Sequence, residues 1–139
     1  MSEEVEIQRA IVTALRESSE VATIVGARVY DKVPLSAPRP YIHFRSVQVI
    51  PDTPECLNLS EVFVEIDLWT DNVGKVQAGS GARAIRRALH DRDLAMPDPY
   101  ALTLLEVTNT VVAVDEANEA LVRARITLRG WIEDTTTPL

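Results

Sequence analysis

The chain has 139 residues, with hydrophobic and charged fractions of 46% and 25%, a size and balance that suit one folded domain and argue against a disordered chain or a second domain. No apolar run reaches the roughly 18 residues a bilayer crossing needs, the opening Met1-Ser2-Glu3-Glu4 is acidic where a secretory signal is basic, and Cys56 stands alone; the expectation is a cytoplasmic protein without disulfides or membrane contact. The formal net charge of −7, from 21 acidic against 14 basic residues, argues against a protein that grips phosphates, although an acidic surface can line a path along which DNA slides without sticking.

From Glu3 to about Glu17, Ile7, Ile11, Val12, Ala14 and Leu15 recur at spacings of three and four, which predicts an amphipathic helix capped by Ser2, with Glu3 and Glu4 at the positive end of its dipole. Ser18-Ser19-Glu20 then caps a short helical turn through Val21, Ile24 and Val25, which Gly26 ends by adopting a left-handed conformation. Arg28-Val29-Tyr30 is extended and leads into a stiff loop held out of helix by Pro34, Pro38 and Pro40. Tyr41 to Ile50 and Glu61 to Trp69 are rich in β-branched and aromatic residues and are expected as strands. The turn-rich stretch Pro51-Asp52-Thr53-Pro54-Glu55-Cys56-Leu57-Asn58 joins them.

The second of these strands alternates, with Val62, Val64, Ile66 and Leu68 on one face and Glu61, Glu65 and Asp67 on the other, so one face is core and the other wet. Asp71 or Asn72 is expected to cap a helix from about Val73 to His90 that turns Val76, Ala82, Ile85 and Leu89 inward and Arg83, Arg86 and Arg87 outward. After a loop from Asp91 to Tyr100, two further strands are expected at Leu102 to Val114 and Ala120 to Ile132. In the last, Val122, Ala124, Ile126 and Leu128 alternate with Arg123, Arg125, Thr127 and Arg129. The fold class that follows is α+β: a four-stranded, mostly antiparallel sheet with two main helices on one face, in the order α-β-β-α-β-β. One domain fills residues 1–134, and residues 135–139 form a loose tail.

Chemistry-bearing patterns are sparse. Gly79-Ser80-Gly81-Ala82-Arg83-Ala84 fits the letter of a dinucleotide fingerprint, yet the first glycine lies inside a predicted helix and ten residues beyond the strand that should precede it. Small residues that let a helix lie close to a sheet are the better account. Gly74-Lys75 lacks the rest of a P-loop, and His43, Cys56 and His90 sit on three elements without metal-ligand spacing. Cys56 with His43 has no third group to complete a catalytic set. No catalytic, cofactor-binding or metal-binding residue is therefore assigned, and no cofactor is expected.

The charged faces carry more information. Glu65 and Asp67 on one strand, with Arg123, Arg125 and Arg129 on another, fall on the sheet face away from the helices and would pair across the ladder if their strands are neighbours. Phe63, Trp69 and Trp131 share that face, and aromatic residues beside arginine are enriched where proteins bind proteins. Arg83, Arg86 and Arg87 form a weak basic patch, for which a solvated helix face is a better account than DNA binding.

Gly26-Ala27-Arg28-Val29-Tyr30-Asp31, then Val33-Pro34, then Pro40-Tyr41-Ile42 resemble the opening of the tail completion or tail terminator proteins of long-tailed phages and gene transfer agents. The strand Val62 to Trp69, the helix ending Ala88-Leu89-His90 and the strand Ala124-Arg125-Ile126-Thr127-Leu128 look like the later elements of the same family, in the same order. The loop Pro51 to Leu59 departs from it in its proline content. The resemblance implies a structural, non-enzymatic virion subunit that forms a ring of six copies, caps the tail tube and joins it to the head connector, with DNA passing through without specific binding. The implied partners are other copies, the tail tube protein and the head-tail connector protein; the implied location is the host cytoplasm during assembly and then the neck of the particle. Phe63, Glu65, Asp67, Trp69, Arg123, Arg125, Arg129 and Trp131 are the candidate interface, and Pro51, Asp52, Thr53, Pro54 and Glu55 the candidate loop facing tube or connector. The alternatives are a small regulatory or ligand-binding α+β domain, which would need apolar residues on the outer sheet face, and, third, an enzyme without a sequence signal.

Overall fold

Two long strands run side by side through the centre of the molecule, and the rest is arranged around them. A computed structural model describes residues 2–52 and 58–136, in the order α1 (Glu3–Glu17), α2 (Ser19–Val25), β1 (Val29–Tyr30), β2 (Tyr41–Asp52), β3 (Asn58–Asp71), α3 (Val76–Leu89), β4 (Tyr100–Val114) and β5 (Leu121–Asp134). The strands form one sheet in the order β1-β2-β3-β5-β4, in which only the β1-β2 pairing is parallel.

The four-stranded expectation is thereby corrected to five strands, while the short helical turn expected after α1 is present as α2. Two residues are too few for any periodicity to reveal a strand. Val29 and Tyr30 nevertheless align with Ile42 and His43, and the Ile42 N–H donates to the Arg28 carbonyl at 2.9 Å. The strands are also longer than expected. β2 continues through Pro51 and Asp52, while β3 starts at Asn58 and runs to Asp71. Thr53, Pro54, Glu55 and Cys56 lie outside the described residues.

Local capping matches the chemistry of the sequence at the first two helices. The Ser2 hydroxyl accepts from the Val5 N–H at 3.2 Å, the Ser18 hydroxyl from the Val21 N–H at 3.3 Å, and Gly26 ends α2 at φ 59°. At α3 the expectation fails: neither Asp71 nor Asn72 caps it, the N-cap position is Lys75 without a side-chain bond, and the helix starts at Val76. Asn72 is engaged elsewhere. Its N–H donates to the Ala120 carbonyl at 2.8 Å and its Nδ2 to the Glu119 carbonyl at 2.8 Å, which ties the β3-α3 connection to the β4-β5 turn. Val76, expected inward, is 82% exposed as a result.

All three helices cover one sheet face. α1 contributes Ile7, Ile11 and Leu15, one residue per turn, and α3 contributes Ala78, Ala82, Ile85 and Leu89. Beneath them lie Val62, Val64, Ile66 and Leu68 of β3 and Val122, Ala124, Ile126 and Leu128 of β5, all buried. Each large side chain so placed contributes about 1.5–3 kcal/mol relative to exposure. Gly81 sets how closely α3 lies on the sheet, since a Cβ there would sit 2.3 Å from Leu68 Cδ2. Within the Gly79-Ser80-Gly81 sequence it is thus Gly81 that serves packing. On β4 the register shifts between Thr103 and Glu106, Leu104 takes φ 55°, and Leu105 turns into the core across Gly130.

Candidate functional site

The face of the sheet opposite the helices carries its polar features in rows fixed by strand register. Tyr41, Trp69, Arg123 and Ala113 form one row; His43, Asp67, Arg125 and Val111 form the next. Ser46, Glu65, Thr127 and Asn109 follow, and then Gln48, Phe63, Arg129 and Glu106. Ile50, Glu61, Trp131 and Thr103 complete the series. All eight residues singled out on β3 and β5 therefore lie on one surface, on strands that are neighbours.

Three ion pairs join this surface. Arg125 grips Asp67 with two bonds, Nε to Oδ1 at 2.9 Å and Nη2 to Oδ2 at 3.1 Å, and these bonds hold the guanidinium pKa above its usual value against the opposing effect of burial. Asp67 was expected on a wet face but is only 2% exposed, because the planar fork of Arg125 lies across it. Arg129 donates to Glu61, one row away, and Arg45 donates to Glu65 at 2.9 Å. Arg123 sits 3.9 Å from Asp115 in a looser contact.

The two tryptophans are bracketed by the same cations. The Arg123 guanidinium lies 5.8 Å from the Trp69 ring centre, and that of Arg129 lies 5.3 Å from Trp131, within range of a cation-π attraction. Arg45 is the member of this surface that sequence reasoning missed. Strict alternation from Phe44 does not give it a partner; a register shift between Phe44 and Ser46 frees it to reach Glu65. No local residue pattern announces that bulge.

A second feature lies on the helical side, where α3 overhangs β4. Here Arg83, Arg86 and Arg87 stand with His90 and Arg92 around a groove of about 590 Å³. His90 is held in place, its Nδ1 accepting from the Val107 N–H at 2.9 Å. His43, by contrast, lies on the opposite face of the sheet across from Asp67, so the two histidines share no site. Among the described residues no three His, Cys, Asp or Glu are placed to hold a metal ion, and no helix is long and apolar enough to cross a membrane.

The domain is of the two-layer α+β class, and its outer-face polar groups are laid out flat along a sheet. The tail completion protein gp17 family model matches residues 9–133, and the chain belongs to that family. It is a structural protein of a virion tail and not an enzyme. The fold is shared with a chain in the solved virion of a native gene transfer agent particle, at a TM-score of 0.84 and 24% identity, over 96% of this chain and 99% of that one. No curated protein matches the sequence significantly.

Proposed function

We propose that the chain assembles into a closed ring, six copies being the expected number, that caps the tail tube, ends its growth and joins it to the head connector while DNA passes through the centre. On this reading it meets copies of itself, the tail tube protein and the connector protein, first in the host cytoplasm and then in the particle neck. The observation that carries the reading is the outer sheet face, which no described helix covers and where Phe63, Trp69 and Trp131 lie half-buried among paired guanidiniums and carboxylates.

Such a surface suits a contact between proteins. The aromatic rings supply area, and the ion pairs already hold Arg125 and Arg129 in one geometry, so little side-chain freedom is lost on docking. Asp67 acts from below by fixing Arg125. The interface would comprise Phe63, Glu65, Trp69, Arg123, Arg125, Arg129 and Trp131, with the end of β2 at Pro51 and Asp52 approaching tube or connector. β4 is an edge strand that pairs only with β5 among the described residues, and it gives a ring subunit a second, different surface, as a head-to-tail contact requires.

Two measurements test this. Particles made without the protein are expected to show over-long or headless tails by electron microscopy. Purified protein is expected to co-sediment with tail tube and to associate with itself as concentration rises. Tails of normal length that carry heads would refute the capping role, and a protein that stays monomeric with or without tube would refute the ring.

A further inference from the structure

The groove between α3 and β4 inverts the charge of the molecule that carries it. The chain as a whole is at −7, yet four arginines surround this groove and, among the described residues, none lining it is acidic. Arg87 is engaged by Glu20 at 3.1 Å, and Arg92 Nε donates to the Arg87 carbonyl at 3.0 Å. Arg83 and Arg86 are exposed and have no ion-pair partner among the described residues. Because His90 accepts at Nδ1, its proton sits on Nε2, which leaves a further donor on the imidazole.

The floor is apolar, formed by Ala82 and Val112 beside Gly79. A phosphate backbone makes no use of such a floor, and the overall charge opposes a duplex; a protein segment that ends in carboxylates fits both parts. The chain itself supplies one. The β4-β5 turn, residues 115–120, contains Asp115, Glu116 and Glu119, the last two exposed. It is a rigid tip: Asn118 Oδ1 accepts from the Ala120 N–H at 3.0 Å, and Asn72 holds the Glu119 and Ala120 carbonyls from the side.

We infer that the arginine groove receives the acidic β4-β5 turn of a second copy of this chain, with Arg83 and Arg86 pairing Glu116 and Glu119. Groove and turn are different surfaces, so the contact is head-to-tail and propagates until a ring closes. This rests on the ring reading above and specifies one contact that would build it.

Charge reversal separates the two. Arg83→Glu with Arg86→Glu makes a groove variant, and Glu116→Arg with Glu119→Arg makes a turn variant. All four positions are exposed, and circular dichroism checks that both variants fold. Sedimentation velocity, with and without tail tube, is expected to show each variant associating at least about tenfold more weakly than wild type. An equimolar mixture is expected to recover association, because each reversed surface then meets its complement. Wild-type association with equally strong association of both variants overturns the groove contact and leaves the ring standing. Loss in the single variants without recovery in the mixture overturns it too, as does binding of duplex DNA by wild type that the groove variant loses. A wild type that never associates sinks the ring reading itself, and the groove contact with it.

Discussion

The same two strands, β3 and β5, hold the molecule together in opposite ways on their two faces. On the helical side Val64, Ile66, Leu68, Ala124, Ile126 and Leu128 are buried under α1, α2 and α3, and the contribution there scales with area removed from water. On the other side the register places Asp67 opposite Arg125 and Glu65 beside Arg45, where Coulomb attraction is offset by desolvation and side-chain ordering. The inner face supplies stability. The outer face supplies a fixed pattern of charge and aromatic surface, and so is the side on which recognition can be written without unfolding the domain.

The largest effect expected is on the covered face. Ile126→Ala removes a fully buried side chain from the centre of the sheet and should cost about 2–5 kcal/mol in urea denaturation. Asp67→Ala follows at about 2–3 kcal/mol, because it strands Arg125 with two unmade bonds. If the outer pair serves pattern rather than stability, Asp67→Leu combined with Arg125→Met should fold within about 1 kcal/mol of wild type while losing self-association in sedimentation. A double variant as unstable as the single one would erase the distinction between the faces.

How much of this contrast the sequence carries depends on the element. The inner and outer faces of β3 and β5 are legible because strict alternation over many residues has one solution. For β1 the extended backbone of Val29 and Tyr30 is legible but its place in the sheet is not, since that pairing is decided by Ile42 and His43, far along the chain. Likewise Arg45 and Leu105 owe their positions to irregularities in register, which depend on two strands at once. The arginine groove was half legible: the periodicity of α3 exposes Arg83, Arg86 and Arg87, but nothing local shows that His90, Arg92 and β4 close around them.

The inner face also predicts opposite outcomes for two glycines one half-turn apart on α3. Gly81→Ala drives a Cβ into Leu68 and should cost about 1–3 kcal/mol. At Gly79 the added methyl meets nothing within 4 Å, and replacing glycine inside a helix should stabilise by about 0.5–1 kcal/mol. Thermal melts of the two variants read both signs. Equal destabilisation would mean that α3 does not lie on β3 as described, and the covered face would lose its closest contact.

The smallest effect belongs to neither face but to the end of β5. Bonds from Thr136, its hydroxyl first and then its backbone N–H, hold the Asp134 carboxyl below the ordinary value of 3.8. A carboxyl lowered in the folded state stabilises fully above its unfolded pKa, and that increment is lost as pH falls through the folded one. Wild type should therefore exceed Asp134→Asn in urea midpoint near neutrality, and the gap should close as pH drops below about 4. Arg125, already above its usual value, stays charged throughout this window, so the pairing on the outer face does not mimic the effect from the arginine side. A gap that widens in acid would show that the Thr136 bonds favour the protonated carboxyl, reversing the sign argued here.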